Sequence, residues 1–168
     1  MRGIKEMKII VFKQQYFEKT AELLAAFRVT LKRFKGIEDK PDLPSAREEL
    51  EGFVSDKDYP VYICVEDEEV LGYMILHVFG VIWVEQIYVR EDSRRKGVGS
   101  LLFAKAEECS SNINEDTLFN YVHPNNDAMI NFLRSKGYDV LNLIEIRKSW
   151  KNEKNDKTIK VGNHEFKY

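Results

Sequence analysis

From residue 15 to residue 34, apolar side chains recur at Phe17, Ala21, Leu24, Phe27, Leu31 and Phe34. Steps of three or four place them on one stripe, so this stretch is predicted to be an amphipathic helix. The run KIIVF (8–12) before it is a short strand. Gly36 to Pro44 interrupts the period. Ser45, followed three residues later by Glu48, spells a capping box and predicts a second helix to about Val54.

Beyond that point the period changes from helical to strand-like. VYICVE (61–66) and VLGYMILHVF (70–79) flank an acidic turn at Asp67–Glu69 and predict a hairpin, and VIWVEQIYV (81–89) follows Gly80 as a third strand. A helix is expected from about Val98 to Cys109, then a strand TLFNYV (117–122) and a helix over 126–136 closed by Gly137. YDVLNLIEIRKSW (138–150) reads as a long strand and KNEKNDK (151–157) as a solvated turn. The C-terminal TIKVGNHEFKY reads either as a hairpin on Gly162-Asn163 or as one bulged strand. The predicted order is β-α-α-β-β-β-α-β-α-β-β, a mixed α/β sheet rather than a doubly wound one. One domain over residues 1–150 is expected, with 151–168 completing it.

Composition narrows the function classes. A chain of 168 residues buries roughly 70% of its unfolded surface and needs no staples. The net charge of −2 weighs against a dedicated nucleic-acid binder. Cys64 and Cys109 lack metal-ligand spacing and read as buried thiols of a reducing compartment, and no metal is expected. The run in MRGIKEMKIIVF is too short for a signal peptide, and no stretch approaches a membrane span, so a cytoplasmic location is expected.

The chemistry concentrates in VREDSRRKGVGSLLF (89–103), where Arg94, Arg95 and Lys96 run into Gly97 and Gly99 between a strand and a helix. Amides at a helix start have no internal partner, and the helix dipole reinforces them. Glycine lets such a backbone approach a ligand closely, so a pyrophosphate would fit there. A basic surface turn would use the same residues. The stretch is neither a Gly-Lys-Ser/Thr phosphate loop nor a G-x-G-x-x-G turn.

Together with NNDAMINFLRSKGY (125–138) and the element order, Arg94-x-x-Gly97-x-Gly99 resembles the GNAT superfamily of N-acetyltransferases over roughly residues 8–150. The resemblance implies a GNAT-like fold with splayed central strands at the cofactor site and acetyl-CoA as co-substrate. It further implies a pyrophosphate held by amides around Arg95, Lys96, Gly97, Val98, Gly99 and Ser100, and pantetheine bonded to the backbone around Ile87, Tyr88 and Val89. The second family element, N-x-x-A-x-x-F-Y-x-x-x-G-F, is matched at Asn126, Phe132, Gly137 and Tyr138. Asn126 and Phe132 are thereby implied to line the cofactor. Met129 departs from the alanine and Leu133 from the tyrosine that is proposed in relatives to protonate the thiolate. A non-catalytic acyl-CoA-binding or sensor module stays open on that departure.

Acetyl transfer to an amine needs a base, because an alkyl ammonium loses its proton near pH ~10. Alternation puts Val81, Trp83, Glu85, Ile87 and Val89 on one strand face, where Glu85 is the only charge. Glu85 is the first candidate base and His123, before Pro124, the second; each also has a purely structural reading. Residues 37–58 carry eight acids against three bases; a solvated amphipathic helix would carry the same charges, and they also suit a cationic amine acceptor, whether a small amine, an amino acid or a peptide or protein amine, with no nucleic acid or membrane partner. Residues 147–168 hold seven Lys/Arg against three acids, a complement that serves either within the fold or across a homodimer.

Overall fold

The computed structural model describes residues 6–168; the first five residues, where the N-terminal segment expected to be too short for a leader begins, lie outside the described residues. Two compact units form, Met1–Asn131 and Phe132–Tyr168. No helix of the described residues is long and apolar enough to cross a membrane.

The first unit is built on a five-stranded sheet in the order β1-β2-β3-β4-β5. Its strands are β1 (Lys8–Val11), β2 (Val61–Glu66), β3 (Glu69–Phe79), β4 (Val81–Val89) and β5 (Phe119–Asn120). The first four form an antiparallel meander and β5 joins β4 in parallel. The acidic turn is tight because Asp67 and Glu68 both take left-handed φ, +48° and +62°, the pairing a two-residue hairpin needs.

Helices α1 (Phe17–Phe34) and α2 (Leu43–Ser55) lie on one face. Tyr73 and Tyr88, cross-strand partners, both set their rings edge-on to Phe27 of α1. Leu24 and Leu50 complete that core with Ile63 and Ile75. Helix α3 (Val98–Asn112) takes the opposite face. Gly72, next to Tyr73 and so pointing the other way, faces Val98 and Leu102.

Helix α2 starts three residues earlier than a Ser45–Glu48 box would place it. Asp42 is the cap, accepting from the Ser45 N–H at 3.1 Å. Pro44, with no N–H to satisfy, sits in the first turn, where its fixed φ suits the helix.

The unit boundary falls within α4 (Asp127–Ser135). In the second unit Gly137 closes the helix at φ +88°, with Gly137 N–H bonding Arg134 O and Tyr138 N–H bonding Leu133 O. Thr158–Val161 and His164–Lys167 pair as a two-stranded hairpin turning on Gly162-Asn163, which settles the hairpin against the single bulged strand. The strand expected over 138–150 is absent. Strands are ladders, and this segment has no ladder partner; Val140 is 87% exposed and Leu143 72%.

Two glycines have opposite expected responses. A Cβ at Gly72 would stand 2.8 Å from the Tyr88 carbonyl oxygen and 3.1 Å from Val98 Cγ1. Gly72→Ala is therefore expected to destabilise by ~1–3 kcal/mol in urea unfolding. Gly52, exposed in the middle of α2 with nothing within 4 Å, should instead gain ~0.5–1 kcal/mol as alanine.

Candidate functional site

The end of β4 is pinned before the glycine turn begins. Arg90 donates its N–H to Leu71 O and its side chain to Asp92 at 2.6 Å. The Arg90 guanidinium, with help from Ser93, holds the Asp92 carboxyl below the ordinary carboxylate range. Arg94 folds back along the strand, donating from Nε to Val89 O at 3.1 Å with its guanidinium 5.3 Å from the Tyr88 ring centre. Arg95 and Lys96 are left exposed.

Arg95 (φ +62°) and Gly97 (φ +91°) are both left-handed, and such residues gather successive amides into an anion-binding concavity. A Cβ at Gly97 would meet nothing within 4 Å, so glycine serves there for its φ and not for space. The first amide to find the helix is Leu101, which donates to Gly97 O at 3.0 Å. Among the described residues no protein acceptor reaches the N–H groups of Arg95 to Ser100.

One strand earlier, the sheet opens. β4 pairs with β5 only at Trp83–Phe119 and Val84–Asn120, so Glu85 to Val89 have no β5 partner. Where the strands part, Asn120 Oδ1 is buried and has no hydrogen-bond partner. On the β3 side the register passes from Ile75–Gln86 to Leu76–Val84, leaving Glu85 as a bulged residue.

The bulge corrects the expected strand face. Cross-strand partners share a face, so Trp83 goes with His77, and His77 stacks on Tyr59 at 4.5 Å, beside Phe53 of α2. Ile87 goes with Met74, the neighbour of Tyr73, and so faces α3. Trp83 thus shares its face with Gln86 and Tyr88, while Ile87 and Val89 lie on the other. Glu85 is half-buried at the crossover; the Glu49 hydrogen bond raises the proton affinity of Arg28 and burial that of Tyr59, and the Glu85 charge adds to both.

Gln86 is a buried amide that the sequence reading passed over, although a lone amide among Ile82, Val84 and Tyr88 was the available signal. It accepts from Tyr73 Oη at 2.9 Å and donates to Glu49 Oε1 at 2.8 Å. Arg28 in turn bonds Glu49 through Nε at 2.9 Å and through its second nitrogen. Burial holds the Tyr73 phenol far above its usual range, so it remains a donor.

The remaining predicted site residues are differently engaged. His123 stacks on Phe34, with centroids 5.6 Å apart, and its Nδ1 accepts the Asn125 N–H at 3.2 Å. Burial and Lys35 lower its proton affinity. Asn126 caps α4, its Oδ1 accepting from Met129 N–H at 3.1 Å. Phe132 and Leu133 belong to the second unit, where the Lys136 ammonium lies 5.7 Å from the Phe132 ring centre. Of the eight acids in 37–58, Asp39 pairs with Lys32, Asp42 caps α2 and Glu49 holds Arg28. Cys64 and Cys109 are free thiols, and burial pushes Cys64 up to about 11. Among the described residues no group of three or more His, Cys, Asp and Glu side chains is placed to hold a metal ion.

The fold is shared with solved acetyltransferase structures. The aminoglycoside N-acetyltransferase AAC(6')-Iy, solved in complex with CoA, is 14% identical with a TM-score of 0.70, over 89% of this chain and 98% of that one. An aminoglycoside acetyltransferase from an uncultured soil metagenomic sample, in complex with sisomicin, is 16% identical at a TM-score of 0.64, covering 86% and 97%. A further structure with the same fold, of a mutant of the BH1408 protein from Bacillus halodurans, is 18% identical at a TM-score of 0.71, covering 85% of this chain and 99% of that one. No curated protein matches the chain. The sequence model of the acetyltransferase (GNAT) family matches residues 21–138, so the chain belongs to that family and is an acyltransferase.

Proposed function

We propose that this protein is an N-acetyltransferase that moves the acetyl group of acetyl-CoA to a primary amine by direct attack. The observation that carries the reading is the row of amides from Arg95 to Ser100, which meet no protein acceptor at the start of α3. N–H groups at a helix start that have no protein acceptor match a pyrophosphate, and exposed Arg95 and Lys96 supply counter-charge. The opened strand edge from Glu85 to Val89 offers main-chain groups to the amide-bearing pantetheine arm. Asn120 Oδ1 adds a buried acceptor for an amide N–H on the same path.

Acetyl-CoA supplies the reactive thioester. The residues of this chain bind it, hold the amine and manage its proton. Glu85 is the base: it is the carboxylate carried by the bulge, directly before the open edge. An N–H of the open edge near Val89 donates to the thioester carbonyl oxygen, where charge builds as the amine attacks. His123 is assigned no proton transfer, because its Nδ1 lone pair is occupied by the Asn125 N–H. Neither cysteine serves as a nucleophile, and no covalent enzyme intermediate is needed.

Two measurements test the reading. Acetyl-CoA at ~100 times its Kd should stabilise the protein by ~2.7 kcal/mol in a thermal-shift titration. The Arg95→Ala/Lys96→Ala double variant should bind more weakly, with a shallower salt dependence, and equal binding by parent and variant at low salt would remove the Arg95 and Lys96 side chains from pyrophosphate binding. Glu85→Gln should retain acetyl-CoA binding and lose ~10²-fold or more in turnover at pH 7. The deficit should shrink as pH rises towards the amine pKa of ~10, where the acceptor deprotonates without help. A deficit constant across that range would assign Glu85 to folding or binding instead.

A further inference from the structure

The face of the sheet on which Trp83 lies carries more than a candidate base. Trp83 stacks on Tyr121 with centroids 4.6 Å apart and 16° between planes, and packs on Phe119 at 4.9 Å. Its cross-strand partner His77 stacks on Tyr59 at 9° between planes and reaches Phe79 at 6.3 Å. Tyr121 is 64% exposed and Phe79 78% exposed, so the row of rings opens to solvent at these two, while Tyr59 is anchored against the core. Glu85 follows Trp83 by two residues, at the bulge.

Resting on the acetyltransferase reading, we propose that the acceptor is a small primary amine bearing an aromatic ring, with its ring on the Trp83–Tyr121 wall and its ammonium at Glu85. Flat rings stack on flat rings, and an ammonium gains both from a carboxylate and from the electron-rich faces beside it. The strand beside the wall supplies one ammonium site. Glu85 is the only carboxylate that β4 offers on this face, while Glu49, the next acid inward, is committed to Arg28 and Gln86. Asp56 and Asp58 stand at the rim, where they and Glu85 raise the Tyr59 phenol after burial has done so. The cleft of about 440 Å³ between α1, Asp39–Pro41 and Arg90–Asp92 is less suited to this ligand. Its Arg90–Asp92 and Asp39–Lys32 charges are already paired, and Tyr88 is its one aromatic lining residue.

The amine nitrogen forms the new N–C bond, the C–S bond breaks, and the electron pair leaves on sulfur. The ammonium loses two protons overall, one through Glu85 to solvent before attack and the other to solvent as the amide forms, while sulfur leaves as the CoA thiolate and takes its proton from water.

The test is release of CoA thiol from acetyl-CoA by the full chain, with phenethylamine, tryptamine, hexylamine, spermidine and an aminoglycoside as acceptors. Phenethylamine and tryptamine should show kcat/KM at least tenfold above hexylamine and spermidine. Tyr121→Ala, at an exposed position, should raise KM for the arylamines severalfold more than for hexylamine, and Trp83→Ala should widen that difference further. Equal rates for arylamines and hexylamine, or a preference for spermidine or the aminoglycoside, would overturn the aromatic acceptor and leave the acetyltransferase standing. Acetyl-CoA binding without turnover of any amine would overturn the transfer reading itself, and this inference with it.

Discussion

The constraint on which the site depends is the brevity of the β4–β5 ladder. Parallel strands of ordinary length would pair along most of β4, but here pairing ends at Val84–Asn120. Each main-chain group beyond that point must find a partner or carry a cost of about 1–3 kcal/mol if buried alone. Arg94 relieves one by bonding the Val89 carbonyl. The other groups on that edge and the amides at the start of α3 belong to one continuous stretch, residues 85–100. A single run of chain thus presents main-chain donors in sequence, first from an opened strand and then from a helix start.

The bulge at Glu85 would be unstable in register were it not tied down. Strand pairing repeats every two residues, so a slip by one would exchange buried and solvated faces. Gln86 prevents the slip. Its amide is bonded at one end to Tyr73 and at the other to Glu49, and moving it would strand the buried Tyr73 hydroxyl and the buried Gln86 amide at once. The same contacts fasten α2 and, through Arg28, α1 to the strand that carries the bulge. Placement of Glu85 is therefore a consequence of a fully satisfied polar chain one residue away.

This explains what the sequence made legible. Hydrophobic period reports which face is buried, so α1 and the meander from β2 to β4 could be read with near-correct ends. Turn chemistry reports local φ, and Gly137 and Gly162 stand where such residues were expected. A bulge changes neither signal: VIWVEQIYV alternates smoothly through Glu85, and the face assignment went wrong on one side of it. For the cap of α2, two local signals competed, and the rigid ring of Pro44 favoured Asp42 over Ser45. Residues 138–150 failed for a third reason. Apolar content and β-branching say that a segment would pair well, but a ladder partner is a property of the rest of the chain.

Leu133 in the place of a tyrosine poses an energetic question for the proposed transfer. Leucine has no proton to give, so sulfur leaves as an anion unless water serves. An unperturbed thiol has a pKa of ~8.5, and each unit above ambient pH costs about 1.4 kcal/mol, so departure as thiolate at pH 7 is uphill by ~2 kcal/mol. An expelled amine or alkoxide, with a far more basic leaving atom, would be costly without an acid. A thiolate in contact with water is not, and the stronger demand lies at the other end of the reaction. An ammonium of pKa ~10 must lose a proton before it can attack, a deficit of ~4 kcal/mol at pH 7. Chemistry of this kind can dispense with its acid more readily than with its base, and so it is the bulged carboxylate of β4, not the α4 position, that the proposed rate depends on most.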